Sequence, residues 1–483
     1  MTQNFAVADV NRLSVDGIPH ASERRSLDLA LLAKHVCSGV FVSGRSVDDI
    51  LEMTAHARIA NGAVANVDVN RERKLVTASL PSGEARSARV VGDHGAVILP
   101  IGSAKAFFCP QVIETKLPPS DKIAWPLGDV NACASPGEEW DEKVLKEGVD
   151  RAFSFDPDPF TAAFIIAHKG KIIAERYGAG ADRMMQLPSW SMGKTLTAIL
   201  LGRLLMDHAY DIDSPAPIAE WSGPDDPRSK ITIADLLQMS SGLNFSAAWS
   251  PDYTPDHGYP DHNYMYSAAI DCFSLALSRE AAHPPGTFGA YKNGDTLALG
   301  ALIKRTVESN GGVYLSWPQR ALFDKIGIRK LILEPDPYGN LLTSGFGYGT
   351  ARDWVRLGLL LLNDGVFDGE RLLPDGFVDF MRRPAPGWSG RYWMSDGPAG
   401  WNGSIYGGQL WLNRYPSEDR WPLPDDAYFM LGIGGQYCFV APSMDLVVVR
   451  MGHVRGFLDR DVGRAPMSEP LALITKAYRR AGS

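Results

Sequence analysis

Apolar positions change their period along the chain, and the changes divide it. Residues 27–36 carry leucine, alanine and valine at helical spacing, 40–42 read as a short strand, and 46–53 as a helix capped by Ser46 with Asp48 and Asp49 in its first turn. Apolar stretches at 67–69, 74–80 and 88–91, parted by Asn70-Arg71-Glu72 and Pro81-Ser82-Gly83, predict a strand meander. Prolines at 110, 118, 119, 126 and 136 give a linker composition, and a charged helix follows over roughly 138–152. Two apolar runs, 162–167 and 171–176, flank His168-Lys169-Gly170 as a hairpin. A second hairpin is predicted from 437–441, a turn at 442–445 and the run 446–451, with an amphipathic helix over 469–481 behind it. Between these ends Thr232 heads a short helix that stops at Ser241-Gly242, and Thr350 heads a longer one that ends at Asn363-Asp364-Gly365.

Sheet-forming segments at both ends of one unit, with helices between, predict an α/β sandwich in which an antiparallel sheet is flanked by helices. The sheet is expected at 155–180 and 430–483, with an inserted, mainly helical lobe at roughly 195–400. The domains on this reading are a small mixed α+β accessory unit at 1–125, in which no catalytic constellation is visible, and a main domain at 126–483. A ligand site is expected in the cleft between lobe and sheet.

Composition narrows the function. A net charge of −8 with no basic block argues against nucleic acid as a partner. No run approaches the roughly 18 uninterrupted apolar residues of a membrane span, and residues 1–17 lack the pattern of a secretory signal. Cys37, Cys109, Cys133, Cys272 and Cys438 are scattered with no C-x-x-C pair, which fits reduced thiols and a cytoplasmic location. A homo-oligomer is compatible with the sequence. The repeated Asp256-His257 and Asp261-His262 have neither helical ligand spacing nor a distant third ligand, so no metal is expected, and no organic cofactor.

The chemistry concentrates in residues 187–205. Ser191 and Lys194 are three apart at the start of a predicted helix, a spacing that puts Cβ atoms about 5–6 Å apart on one face. A serine hydroxyl needs a neighbouring base to become a nucleophile, and burial turns lysine into one by lowering its pKa from about 10.4. The Ser191 N–H, at a helix start, is free to point at a developing oxyanion. Ser-x-x-Lys arises by chance about once in a chain of this length, so its company matters. Tyr291, presented by the Pro284-Pro285-Gly286 turn, supplies a phenol; beside a lysine ammonium its pKa is expected to fall, making it a usable base. Asn293 stands two residues on. Tyr338-Gly339-Asn340 repeats the spacing without the rigid lead-in.

In order, Trp190-Ser191-Met192-Gly193-Lys194-Thr195, the segment from Thr232 to Leu243, Pro285-Gly286 leading to Tyr291-Lys292-Asn293, Thr350-Ala351-Arg352-Asp353 and Gly432-Ile433-Gly434-Gly435-Gln436 resemble the serine β-lactamase-like family over roughly residues 155–483. Class C-like esterases, D-amino-peptidases and 6-aminohexanoate-dimer hydrolases are the most similar branch. The resemblance implies a hydrolase in which Ser191 is acylated, Lys194 accepts its proton, Tyr291 protonates the leaving group and then activates water, and Asn293 holds the acyl-side amide. The family's third motif, Lys-Thr-Gly or His-Thr-Gly on an edge strand, here reads Gly432-Ile433-Gly434 and lacks the cation that helps bind an antibiotic's carboxylate. The expected substrate is therefore a small linear amide, peptide or ester, with β-lactamase or penicillin-binding protein-like activity as the alternative. A non-catalytic acyl-ligand sensor of the same fold is the reading from another class. The Ile433 N–H, or that of Gly434, is expected to complete the oxyanion hole with Ser191, while Gly432 and Gly434 let substrate backbone come close. Trp190, Tyr259 and Tyr264 are expected to line the substrate cleft, in loops also crowded by Trp249, Tyr253, Tyr266, Trp388, Tyr392, Trp393 and Trp401.

Overall fold

Helix α1 (Ala21–Phe41) is buried on both sides, and that placement decides how the first part of the chain meets the rest. The computed structural model describes residues 21–53, 58–59, 63–154, 159–178, 180–247, 259–388, 405–414, 420–454 and 465–479; Trp249, Tyr253, Tyr392, Trp393 and Trp401 lie outside them. Residues 40–42 do not form the expected strand. The N–H groups of Val42 and Ser43 both donate to Ser38 O, at 2.8 and 3.1 Å, so helical bonding runs past Val40. Burying Val36 and Val40 outweighs the strand preference of β-branched residues there. Helix α2 (Val47–Met53) follows, with the Ser46 hydroxyl accepting the Asp49 N–H at 3.1 Å.

The meander consists of β1 (Asn66–Asn70), β2 (Leu75–Ser79), β3 (Ala85–Val90) and β4 (Ala96–Ile98), paired antiparallel in chain order. Strand β4 was not foreseen, because three residues are too few to display an alternation. Leu29, Ala33, Val36 and Val40 of α1 pack on Val76, Ala78, Ala88 and Ile98. On the opposite side of α1, Leu27 and Leu31 join the main core, and Lys34 and Ser38 bond to Glu334. The proline-bearing segment beyond is fastened to the body: Asp129 meets Arg352 at 3.1 Å and Arg356 at 3.0 Å, and Ala132 and Ala134 bond to the backbone of Ile172. Helix α3 (Glu142–Arg151) starts at Asp141, whose carboxylate accepts the Val144 N–H at 3.2 Å.

Strands β5 (Pro159–His168) and β6 (Lys171–Tyr177) form the predicted hairpin, and its Lys169-Gly170 turn has φ of 48° and 73°, the two left-handed residues of a twist-matched two-residue loop. Further along come β7 (Leu187–Pro188), α4 (Met192–Asp207), α5 (Ile233–Leu237), α6 (Asp261–Ser267), α7 (Cys272–Ser278), α8 (Asn293–Ser309), β8 (Ile332–Leu333), β9 (Gly347–Gly349) and α9 (Ala351–Leu362). Thr232 and Thr350 cap α5 and α9 in reciprocal capping boxes with Asp235 and Asp353. The chain then returns to sheet with β10 (Ile405–Tyr406), β11 (Trp411–Leu412), β12 (Tyr428–Gly432), β13 (Gln436–Ala441) and β14 (Leu446–Val454), and ends in α10 (Ala465–Ala477).

Seven of these strands form one antiparallel sheet in the order β10-β11-β12-β13-β14-β5-β6. The sheet therefore resumes at 405 and not at 430, because β10 and β11 are two-residue strands whose pattern is invisible. Successive residues of a strand point to opposite faces. Ile165, Val447, Val449 and Met430 face the core that holds α4, α8 and α9, while Phe164, Ile166, Val448 and Phe439 face α3 and α10 through Leu145, Val149, Leu471 and Ile474. The fold is thus a β-lactamase-like sandwich with an inserted, mainly helical lobe. Within that lobe β7 pairs with β9 and β9 with β8, a small sheet that fixes the entry to α4. Among the described residues no helix is long and apolar enough to cross a membrane.

Candidate active site

The entry to α4 is tightly held. Ser189 N–H donates to Gly347 O at 2.7 Å, continuing the β7–β9 pairing. Trp190 then takes φ 47°, a left-handed conformation that costs a bulky residue about 1–3 kcal/mol. Ser191 follows at φ −67°, ψ −3°, turning the chain into the helix. The first turn of α4 lies directly on the backbone of Thr343, since a Cβ on Gly193 would overlap Thr343 O. That contact brings Ser344 O alongside Lys194.

Lys194 is 1% exposed. Its Nζ stands 3.0 Å from Ser191 Oγ, 2.7 Å from Asn293 Oδ1 and 2.9 Å from Ser344 O. Burial holds its pKa well below the usual lysine value, and among the described residues no carboxylate forms an ion pair with it. A neutral amine has two N–H donors and one lone pair. Asn293 Oδ1 and Ser344 O only accept, so they take both donors. The lone pair is left for the Ser191 hydroxyl, which can donate. The Asn293 amide is oriented in turn by Nδ2, which donates to His262 O at 2.8 Å.

Asn293, the first residue of α8, is fully buried with both ends of its amide engaged inside the protein. The expected contact with the substrate's amide is thus replaced by an internal one that steers Lys194. Tyr291 is where the sequence expected it: 3% exposed, with Lys194 Nζ 4.9 Å from its ring centre. The expected lowering of its pKa does not occur. Burial raises the phenol, and the Ser191 side chain pulls the other way through a hydrogen-bonding contact. The same burial disfavours the Lys194 ammonium that would have drawn the phenol down, so Tyr291 stays a proton-carrying phenol. Its ring packs against Trp411 at 5.1 Å and Tyr406 at 5.8 Å.

The Gly432-Ile433-Gly434-Gly435 segment is not the glycine-rich edge strand that was expected. Gly432 ends β12 inside the sheet, and Ile433, Gly434 and Gly435 form the hairpin turn to β13, with φ of 79° and 81° at Gly434 and Gly435. Left-handed backbone at two successive positions selects glycine. A Cβ on Gly432 would overlap Ser189 O, so the hairpin end rests on the backbone two residues before Ser191. From beneath, Arg450 donates to Gly435 O at 2.6 Å and to Thr161 Oγ1 at 3.1 Å, and Gln436 Oε1 accepts the Gly452 N–H at 3.0 Å. Arg450 is buried, which lowers its pKa to about 10.

The aromatic residues divide. Trp190 is half-buried beside the nucleophile position, edge-on to His35 and tilted against Phe346. Tyr264 is buried in the main core, and the Tyr259 hydroxyl donates to Asp28 of α1 at 3.1 Å, so packing replaces the cleft contacts expected of both. Trp388 is buried beside Tyr406 and donates to Gln238 O at 2.8 Å. Sequence reasoning missed Ser344 and Arg450, and it named His262 and Tyr266 without the parts they play here. The Tyr266 hydroxyl donates to Ser344 Oγ at 2.9 Å, and His262, whose pKa burial pushes well below the usual imidazole value, lies 6.4 Å from the Tyr291 ring. Arg450 alone left a signal, as the one charge inside the apolar run 446–451.

The fold and this constellation define a β-lactamase-fold serine hydrolase. The chain belongs to the Beta-lactamase family, whose model matches residues 156–466. A 6-aminohexanoate-dimer hydrolase of Paenarthrobacter ureafaciens is 24% identical over 324 residues, 59% of this chain and 79% of that protein. Among solved structures, a Bacillus anthracis protein given the name of a 6-aminohexanoate-dimer hydrolase superposes with a TM-score of 0.54 at 20% identity, covering 77% of this chain and 91% of its own. A penicillin-binding protein homologue from Caulobacter crescentus gives a TM-score of 0.51 at 15% identity, over 71% of this chain and 99% of its own. At these identities the structural likenesses establish the fold alone.

Proposed function

We propose that this protein hydrolyses linear amide, peptide or ester bonds of small molecules through an acyl-enzyme on Ser191. The reading rests above all on Lys194, a buried amine whose two donors are taken by Asn293 and Ser344 and whose third contact is the serine hydroxyl. Lys194 takes the Ser191 proton as Oγ attacks the carbonyl carbon. The oxyanion is held by the N–H groups of Ser191 and of Ile433 at the hairpin turn. Tyr291 gives its proton to the leaving nitrogen or oxygen and is recharged from Lys194. Water then attacks the acyl carbon and gives its proton to the Tyr291 oxygen as the proton Tyr291 already holds passes to Ser191 Oγ, so the acyl–oxygen bond breaks with Ser191 and Tyr291 both returned to their starting forms. No metal or organic cofactor enters this sequence. The cytoplasmic location remains part of the same reading.

Linear substrates are favoured over β-lactams because the cation of the third family motif is replaced by Gly-Ile-Gly, and Arg450, the cation at that turn, is turned inward to Gly435 O and Thr161. The test is a panel of p-nitrophenyl acetate, linear oligoamides, D- and L-dipeptides and nitrocefin, run with the wild type and Ser191→Ala. Steady turnover of an ester or amide that Ser191→Ala abolishes supports the proposal. Nitrocefin turnover matching that of the best linear substrate would make the enzyme a β-lactamase, and a single stoichiometric burst would make it a sensor.

Two further outcomes are expected. The kcat/KM of ester hydrolysis should reach its plateau at a pH well below the ordinary lysine pKa of about 10.4 and fall as the medium becomes acidic enough to protonate Lys194, since only the neutral amine has a lone pair for Ser191. A rate still climbing tenfold per pH unit up to about pH 10 would mean an ordinary, charged lysine. Gly432→Ala should lower kcat about 10²–10³-fold, because the new Cβ overlaps Ser189 O and forces the turn carrying the Ile433 N–H away from the oxyanion. Steady-state kinetics would show it as a loss in kcat with KM little changed.

A further inference from the structure

We infer that the N-terminal unit is a working part of the active site, with His35 of α1 as a positioning residue that holds Trp190 in its left-handed conformation and so aims Ser191 at Lys194. The inference rests on the acyl-enzyme reading for its kinetic consequences and on geometry alone for its structural ones.

Trp190 is the residue that must be held. A tryptophan at φ 47° is strained, and rotation back to an ordinary β or helical conformation would swing the next residue, Ser191, relative to α4. Its carbonyl is engaged by the Gly193 N–H at 3.0 Å and the Ser189 hydroxyl at 3.0 Å. Two rings among the described residues engage its own. His35 stands edge-on at 5.1 Å between ring centres and Phe346 is tilted at 5.8 Å, while His35 and Phe346 lie 6.0 Å apart, so the three rings close a triangle. Only one corner comes from the N-terminal unit, and that corner is His35.

The residues around His35 fasten it there. Lys34, its neighbour in α1, sits 4.4 Å from the Phe346 ring centre and forms a buried ion pair with Glu334 at 2.7 Å. Glu334 also accepts from Ser38 Oγ at 2.8 Å and from the Ala96 N–H of β4 at 2.7 Å. One carboxylate thus ties together α1, the meander and the segment leading to Ser344 and Phe346. Tyr266 completes the cluster: its ring meets Phe346 at 4.9 Å and its hydroxyl donates to Ser344, whose carbonyl takes a donor of Lys194. The N-terminal helix therefore braces both the serine side and the lysine side of the pair. The match to the family model begins at residue 156, so the α1 side of this brace comes from residues ahead of that match.

The experiment compares His35→Ala, His35→Phe and Trp190→Gly, singly and as His35→Ala with Trp190→Gly, in the full chain. Glycine adopts a left-handed φ without strain, so in the Trp190→Gly background nothing is left for His35 to hold. His35→Ala should lower kcat for p-nitrophenyl acetate about 10–100-fold with KM nearly unchanged, His35→Phe should stay within about 3-fold of wild type because it keeps the ring, and adding His35→Ala to Trp190→Gly should cost nothing further. Amide hydrogen exchange gives a second readout that needs no turnover: His35→Ala should speed exchange at residues 189–195 while leaving β13 and β14 unchanged. Unaltered exchange at 189–195 in His35→Ala, or an equal loss of kcat with and without Trp190, would overturn the inference. Loss of Ser191-dependent turnover in the wild type would instead overturn the acyl-enzyme reading and leave the exchange result to decide on the brace.

Discussion

Ser191→Ala and Lys194→Met should each reduce kcat for amide or ester hydrolysis by about 10⁴-fold or more, and the double variant should be no worse than either single one. The reason is that the two side chains act as one unit across 3.0 Å. Without Lys194 no base serves the hydroxyl, because the amide oxygens of Asn293 and Ser344 that remain can accept a hydrogen bond but are too weakly basic to take a proton. Without Ser191 the amine has no proton to accept. Binding is expected to survive both changes, so KM measured on the residual rate, or direct titration with a product, should move little. Additive losses in the double variant would show that the two residues contribute separately and that the pairing read from the geometry is not the chemical unit.

Tyr291→Phe should lower kcat by about 10²–10⁴-fold, the usual range for a positioned proton-transfer group. Phenylalanine keeps the packing against Trp411, Tyr406 and Lys194 while removing only the hydroxyl. Because Tyr291 is a buried phenol and not a phenolate, its loss should weigh most on poor leaving groups. Amides, whose nitrogen must be protonated to depart, should suffer more than activated p-nitrophenyl esters, whose phenolate leaves unaided. Equal losses for both substrates would remove Tyr291 from the leaving-group step.

What could be read in the sequence follows from how local each signal is. Ser191 and Lys194 are joined by one helical turn, and Tyr291 is announced by Pro284-Pro285-Gly286, so both were legible. The position of Asn293 was legible but its work was not, since only the fold shows that Lys194 and His262 take both ends of its amide. The Gly432–Gly435 segment was found by its glycines yet misread as a strand, because successive left-handed residues that turn a hairpin look the same in sequence as a glycine-rich edge. Ser344 O was invisible in principle: a backbone carbonyl has no signature in any residue type. His35 was invisible for another reason. Nothing near residue 35 hints that it will meet residue 190, and only the packing of α1 between meander and body brings them together.

The order of strands in the main sheet carries a consequence for how the protein is made. Strand β5 lies between the edge strand β6 and β14, and it pairs along its length with β14, from Leu446 against His168 onward. On the ribosome, therefore, the hairpin of β5 and β6 emerges well before its partner and waits with one apolar edge open until the segment from Leu446 onward has been synthesised. A chain stopped ahead of Leu446 is expected to be captured by chaperones or to aggregate, and removing even the last strand and helix should abolish soluble expression where removing a surface loop would not.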